Sequence, residues 1–306
     1  MNTITCYWVY LAIHIQPRLS VHHEQNGAFL MEKISATPIL SSQRQTTIWR
    51  IGRIPKVFNP TRWMWLMSLL LVLGLWQLIT ALSLIQPFLL PPPIAVIQEF
   101  GRVINNGTLW KHTSVTLGQV IPGLLIGVMM GMMLGYGIAK IRILEALLAP
   151  IIVAFQSVPV VAYAPLLVVW FGSGGQSKII TCALIVFFPI LMNTVTGIRS
   201  VPREWREVMR VYRANHWQTF RKLEIPAALP ILLTGLKTSA TLAVIGSVVG
   251  EFIVANAGLG MYINLARTQY NTPLVFVCAI TMALMAGGLY GLVSILERKL
   301  LAWRSK

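Results

Sequence analysis

Six long apolar runs, separated by short polar or charged segments, dominate the hydrophobic pattern of this chain. They cover about Trp63–Leu84, Thr113–Ala139, Leu147–Phe171, Ile179–Ile198, Ala228–Ala255 and Leu274–Leu296. Each is near the roughly 20 residues a helix needs to cross the hydrocarbon core of a bilayer. The pattern therefore predicts an all-α, polytopic membrane protein with six transmembrane helices. Pro159, Pro165 and Pro189 fall inside the third and fourth runs and are expected to interrupt them. The carbonyls they free need neighbours or water, which suits helices lining a cavity. The second run carries Gly123, Gly127, Gly131 and Gly135 at four-residue spacing. That spacing puts small residues on one face, where another helix can approach closely or slide. Between the first two runs, "FLLPPPIAVIQEF" predicts a short amphipathic helix over Ile94–Ile104, lying at a membrane interface.

One polar interruption stands apart. Residues 199 to 224 hold ten charged side chains between two of the most apolar runs. The segment "PREWREVMRVY", residues 202 to 212, starts on a proline and places Glu204 and Glu207 in its early turns, where the helix dipole favours acids. Asn215 is placed to cap a second helical piece, His216–Lys222, which Ile225-Pro226 is expected to end. Two short helices joined by a turn could dock a soluble partner. The other reading is a solvated basic loop held against anionic lipid.

Composition and charge sharpen this picture. The chain is 56% hydrophobic and 11% charged, against about 25% charged in an ordinary soluble domain. It contains no Asp and nine Glu. The net charge of +16 does not point to nucleic acid, because the apolar spans leave no soluble domain to carry a basic face. With the amino terminus inside, segments 1–62, 140–146, 199–227 and the tail after Glu297 hold 20 of the 25 Lys and Arg. The outside segments hold Arg102, Lys111, Lys178 and Arg267, and Lys237 lies within the fifth run. By the positive-inside rule both termini, and the charged loop, are expected in the cytoplasm.

Several features carry no chemistry of their own. Cys6, Cys182 and Cys278 lack metal or redox spacing and are expected to act as small hydrophobes. "GSGGQSK", residues 172 to 178, lacks the spacing and the Lys-Ser/Thr ending of a phosphate-binding loop. The apolar stretch at residues 4 to 15 is too short to span a bilayer and lacks the marks of a signal peptide. Translation is expected to start at Met31, and residues 1–60 to form a disordered cytoplasmic tail ahead of a permease domain over 61–306.

The charged loop resembles the EAA loop of ABC importer permeases, in which Glu-Ala-Ala, Gly-Ala-Ser and Leu-Pro occur in order. Glu207-Val208-Met209 stands at the triplet, Arg213-Ala214-Asn215 at the turn and Ile225-Pro226 at the Leu-Pro. The two alanines are larger here, and the turn glycine is Arg213. Tyr212-Arg213-Ala214 is similar to a Phe-Arg-Ala variant of the nitrate/sulfonate/taurine-type branch, including its thiamine-pyrimidine-precursor group. "LLPPPIAVIQEF", "SVPVVAYAPLLVVWFGSGGQSK", "VVGEFIVANAGLGMYI" and "LERKLLAW" extend the likeness over residues 62–304. The resemblance implies a type I importer permease in the bacterial cytoplasmic (inner) membrane, as a homodimer. Its partners would be two cytoplasmic ATPases, a periplasmic or lipid-anchored binding protein and membrane lipid. It would be a transport subunit rather than an enzyme, binding no cofactor itself, with ATP-Mg on the ATPase. The ATPase contact would come from Glu207, Tyr212, Arg213, Ala214, Asn215, His216, Phe220 and Pro226, with the coupling helix over Arg213–Lys222.

Polar groups inside the spans are the candidates for a pathway or gate. Glu251 is the one acid deep in the fifth run, and an intramembrane carboxylate is costly. Its alternative role is structural, pairing with Arg267 or with helix ends. Gln156 and Ser157 beside Pro159, Asn193 after Pro189, and Tyr163 are expected to face one cavity or to satisfy freed carbonyls. Gly258 and Gly260 in "NAGLG" suit a tight re-entrant turn at the outer end. Branch members are associated with nitrate, sulfonates, bicarbonate, thiamine pyrimidine precursors and flavins. The loop variant and "VVGEF" favour a neutral heterocycle such as a hydroxymethylpyrimidine, with a small anion as the alternative. An embedded enzyme would want convergent Asp, His or Ser groups. A stand-alone secondary transporter would show internal repeats and coupling-ion ligands. Neither pattern is present, and the specific loop argues against a purely structural scaffold.

Overall fold

Proline placement decides where this chain turns and where it runs on. The computed structural model describes residues 60–302, so the expectations for the amino-terminal tail, Met31 and Cys6 lie outside the described residues. Helix α1 is Pro60–Ala81, and α2 is Pro93–Asn105, with Pro92 as its cap and Pro93 at its first position. The missing proline N–H costs nothing there, because the first amides of a helix have no internal partner. The Trp76 indole of α1 donates to the Pro91 carbonyl at 3.1 Å and stacks on Phe276. The amphipathic helix expected over Ile94–Ile104 is α2, which buries Val96 and Val103.

Helices α3 (Thr108–Lys140), α6 (Gly175–Arg199) and α9 (Ile225–Ile253) form the packed centre. The glycine ladder of α3 lies against α6. A Cβ on Gly123 would stand 2.6 Å from the Cys182 side chain, and one on Gly127 2.6 Å from the Ala183 carbonyl oxygen. On Gly131 and Gly135 it would meet the Phe187 and Leu191 carbonyls at 2.8 Å. The backbones touch because no side chain separates them, which is how small residues hold helices together in lipid. Val120, Cys182, Val186, Ile190, Ala243 and Val244 fill the seam with α9. Helix α11 (Thr272–Leu300) packs along α9, and its Leu274, Val277 and Cys278 join α2 in a second apolar cluster. Lys237 of α9 pairs with Glu297 of α11.

The third expected span is not one continuous helix. It is α4 (Arg142–Ser157) and α5 (Val160–Phe171), bent by 98°. Val158 is extended at φ −90°, ψ 123°, the conformation a following proline forces, and Pro159 is extended too. Pro165 and Pro189 lie inside α5 and α6 without breaking them, so of the three suspected interruptions only Pro159 acts.

By length and composition α3, α6, α11 and the continuous run His216–Ile253 can each cross a membrane, and α4 with α5 can make one broken crossing. Helix α1, 22 residues long with an apolar run that begins at Trp63, matches the first expected span in length. Large apolar side chains such as Leu70, Met133, Val169, Leu284 and Leu292 face outward, as hydrocarbon requires. Among the described residues there is no strand.

Candidate functional site

The charged loop is a built structure. At its entrance Arg199 holds Glu145 with both terminal nitrogens, at 2.8 and 2.6 Å, and reaches the Ile138 carbonyl at 3.3 Å. The ends of α3, α4 and α6 are thereby tied together. Helix α7 (Arg203–Val211) follows Pro202, and Arg206 donates back to the Ile198 carbonyl at 2.7 Å. Arg213 then adopts φ +51°, in the left-handed region. That conformation explains why a glycine suits this turn and why an arginine here carries a modest strain.

Asn215 caps the next helix, α8 (His216–Thr219). Its side chain accepts from the Gln218 amide at 2.7 Å, and the Gln218 side chain accepts from the Asn215 amide at 3.0 Å. The anticipated cap is thus a reciprocal capping box. The expected stop at Ile225-Pro226 is absent. Instead a π-helical turn, Phe220–Glu224, carries the chain from α8 straight into α9, with Pro226 at the second position of α9. The widened turn, in which the Ile225 amide bonds to Phe220, leaves room for a proline ring that a regular α turn would crowd.

Two faces result. Trp205, Val208, Val211, Tyr212 and Trp217 are exposed, with Tyr212 79% accessible, and Glu207 is exposed among them. Large apolar side chains thus stand exposed amid charge on this short segment. The other face is closed: Phe220 sits edge-on to Tyr136 at 5.1 Å and against Trp217 at 5.5 Å. Glu224, 1% accessible, accepts from the Tyr136 hydroxyl at 3.1 Å and pairs with Lys140. Sequence reasoning passed over Glu224, Tyr136 and Lys140, because more than eighty residues separate the partners.

At the opposite end of α3, Glu251 is 1% accessible and its bonds are internal. It accepts from the Thr116 hydroxyl at 2.8 Å and from the Gly260 amide at 2.7 Å. Thr116 in turn accepts from the Leu259 amide at 2.8 Å, and the Gly258 amide donates to His112 Nδ1 at 3.1 Å. His112 stacks on Tyr262 at 4.4 Å. Three successive amides at the start of α10 (Leu259–Thr268) are therefore held by α3 and α9. Gly258 has φ +126°, and a Cβ there would overlap the Glu251 carboxyl. Glu251 thus meets the Gly260 amide at the start of α10 and not Arg267, which is exposed on α10. Nearby, buried Lys178 donates to the carbonyls of Ser173 and Gly174.

The remaining candidates are more scattered. Gln156 and Ser157 are exposed at the end of α4, where the Ser157 hydroxyl donates to Val153 at 2.8 Å. Tyr163 is half-buried on α5. Asn193 donates to the Pro189 carbonyl at 2.8 Å and packs where Gly235 of α9 leaves space. A groove of about 410 Å³ between α3, α4 and α6 is lined by apolar side chains such as Met130, Phe155 and Phe187, and none of these four residues lines it.

Against this geometry the comparisons are clear. The family model described as binding-protein-dependent transport system inner membrane component matches residues 123–302, more than half of the chain. The chain belongs to this family. It is a multi-pass membrane permease of the ABC importer class. It is 44% identical over 238 residues to the riboflavin transport system permease protein RibX of Chloroflexus aurantiacus, covering 78% of this chain and 89% of that one. It is 36% identical to the formylaminopyrimidine transport permease protein ThiX of Halalkalibacterium halodurans, with 78% and 94% covered. For the putative aliphatic sulfonates transport permease protein SsuC of Bacillus subtilis the figures are 35%, 80% and 90%. Among solved structures, an amino acid ABC transporter superposes with a TM-score of 0.53 at 18% identity, covering 65% of this permease and 97% of that chain. The inward-facing MetNI methionine ABC transporter gives 0.52 at 20% identity, with 63% and 94% covered. The permease therefore has the type I ABC importer fold.

Proposed function

We propose that this permease passes a flat nitrogen heterocycle across the membrane and that residues 203–224 couple the passage to a cytoplasmic ATPase. The observation that carries the coupling is the exposure, within one short hairpin, of Trp205, Val208, Val211, Tyr212 and Trp217 together with Glu207. A partner groove that takes up these aromatics gains most from their burial, and Glu207 pairs with a cation on its wall. The capping box and the turn at Arg213 give the hairpin the stiffness a force-bearing contact needs. The distribution of Lys and Arg along the chain supports a cytoplasmic side for this loop and both termini. A second copy of the chain completes the pathway, a binding protein delivers the solute outside, and ATP-Mg sits on the ATPase. ATP-driven closure of the two ATPases shifts the permease between inward- and outward-open states by differential binding.

Glu251, Gly258 and Gly260 belong to the outer gate in this reading, with Glu251 holding α10 rather than touching solute. Gln156, Ser157, Tyr163 and Asn193 face the pathway where α4, α5 and α6 meet its other half. The heterocycle is supported by the two relatives named for riboflavin and formylaminopyrimidine transport, at 44% and 36% identity. A single buried acid per chain at the gate also suits a neutral solute better than a dianion.

The test is ATP-dependent uptake into proteoliposomes holding the permease, its ATPase and its binding protein. Labelled riboflavin or pyrimidine should accumulate; accumulation of an alkanesulfonate alone would reverse the solute assignment. In the same vesicles Glu207→Ala should lower uptake by at least about tenfold, as loss of one partner of an interfacial charge pair does. It should insert into the membrane normally. Normal uptake with the ATPase retained would show that Glu207 is not part of the contact.

A further inference from the structure

The exposed face of the hairpin explains how it can be gripped, but not how its movement would reach the far end of the molecule. The buried face supplies the connection. The π-helical turn Phe220–Glu224 fuses α8 to α9, so the hairpin and α9 are one continuous helical run. From that turn the Glu224 carboxylate, with 1% of its surface accessible, reaches sideways to Lys140, the last residue of α3, and to the Tyr136 hydroxyl one turn earlier. Phe220 closes edge-on over the Tyr136 ring at 5.1 Å, and Lys140 Nζ lies 5.6 Å from the same ring. A buried carboxylate with one cation and one hydroxyl has few alternative partners, so the junction has one favoured arrangement.

Helix α3 then leads away from this junction without a break. The 24 residues from Lys140 back to Thr116 span roughly 36 Å at the α-helical rise. Along that length the helix is braced by the glycine ladder against α6. At its other end Thr116 and His112 hold the amides of Leu259 and Gly258, which begin α10. Thus α3 carries a clasp on the hairpin at one end and a grip on α10 at the other.

We propose that Glu224 is a positioning residue for transport: with Lys140 and Tyr136 it clips the hairpin to α3, so that displacement of the hairpin moves α3 and, through Thr116 and His112, α10. This rests on the coupling role of the hairpin proposed above. The clasp passes a local push to one continuous helix, with Pro122 inside it, that carries a latch at its far end. Coupling of this kind requires two sites biasing one common element, and α3 is that element.

The experiment is amide hydrogen exchange on the full-length permease in lipid nanodiscs, comparing wild type with Glu224→Gln and Tyr136→Phe. Exchange should quicken at residues 220–225 and also at Gly258, Leu259 and Gly260, by about tenfold in Glu224→Gln, since a weakened brace lowers the local opening energy. Tyr136→Phe, which removes one hydroxyl and leaves the ring, should move both regions in the same direction by less. Quickened exchange at 220–225 with 258–260 unchanged in both variants would make the clasp a purely local fastening and overturn the proposal. If Glu224→Gln does not accumulate in the membrane, Tyr136→Phe decides alone. In proteoliposomes, Glu224→Gln should keep its ATPase and hydrolyse ATP while transporting less solute per ATP; wild-type stoichiometry would also overturn the proposal. The exchange readout needs no ATPase and tests the clasp by itself, whereas the Glu207→Ala vesicles test the coupling role, so the two failures are distinguished.

Discussion

Gly258→Ala should leave a permease that is poorly retained in the membrane, with uptake below about a tenth of wild type. Two costs combine. Gly258 has φ +126°, a conformation that L side chains rarely adopt, which costs on the order of 1–3 kcal/mol. The added Cβ would also occupy the position of the Glu251 carboxyl, displacing a buried acid from the Gly260 amide and the Thr116 hydroxyl. Leaving a buried carboxyl without its hydrogen-bond donors costs about 1–3 kcal/mol more. Gly107 is the control, because it too has positive φ, at +69°, but has open space where a Cβ would stand. Gly107→Ala should lose only about 1 kcal/mol and transport well. Thermal unfolding in detergent and uptake in vesicles read both. Equal behaviour of the two variants would mean that the contact between Gly258 and Glu251 carries no weight.

Gly127→Leu should prevent stable assembly of the transmembrane core. A Cβ at this position lies 2.6 Å from the Ala183 carbonyl oxygen and 2.8 Å from Val186 Cγ1, and backbone cannot step aside as a flexible side chain can. The remainder of a leucine would push α3 off α6 along the face that also binds Gly123, Gly131 and Gly135. Overpacking costs about 1–3 kcal/mol for a few methylenes and more when backbone must move. Gly118→Leu on the same helix meets no atom within 4 Å and points outward, where an apolar side chain is welcome. Membrane accumulation and melting temperature should fall sharply for Gly127→Leu and hold for Gly118→Leu. If both accumulate alike, the ladder is not the seam that joins α3 to α6.

Much of this architecture was legible because its causes are local. Apolar run length predicted the long helices, glycine spacing the close face of α3, and the residues around Asn215 a cap. The points that escaped depend on what lies far away in the chain. Pro159, Pro165 and Pro189 look alike in sequence, yet Pro159 alone breaks a helix; α5 and α6 absorb the other two. Ile225-Pro226 reads as a stop, and the π turn before it makes it a continuation. Glu224 was one of ten charges in the loop until Lys140 and Tyr136 were brought to it across more than eighty residues. Glu251 was recognised as unusual, but its partner Thr116 and the neighbouring His112 carry no local signal, since they lie on α3 and reach this corner only after α3 and α9 have packed. Arg213 shows the reverse case: its left-handed turn has the geometry that a glycine in the motif implies, and it needs no glycine to form.

The most direct measurement is site-specific cross-linking from the hairpin in the assembled transporter. A Tyr212→Cys permease, with this position 79% accessible, would carry a short thiol-reactive photoprobe and be reconstituted with ATPase and binding protein. The expected result is one adduct, to the ATPase subunit, whose yield changes when ATP closes the ATPases. An adduct to the binding protein, or protection of the introduced thiol by the membrane with no adduct to the ATPase, would contradict the role of this loop as the link between ATP hydrolysis and transport.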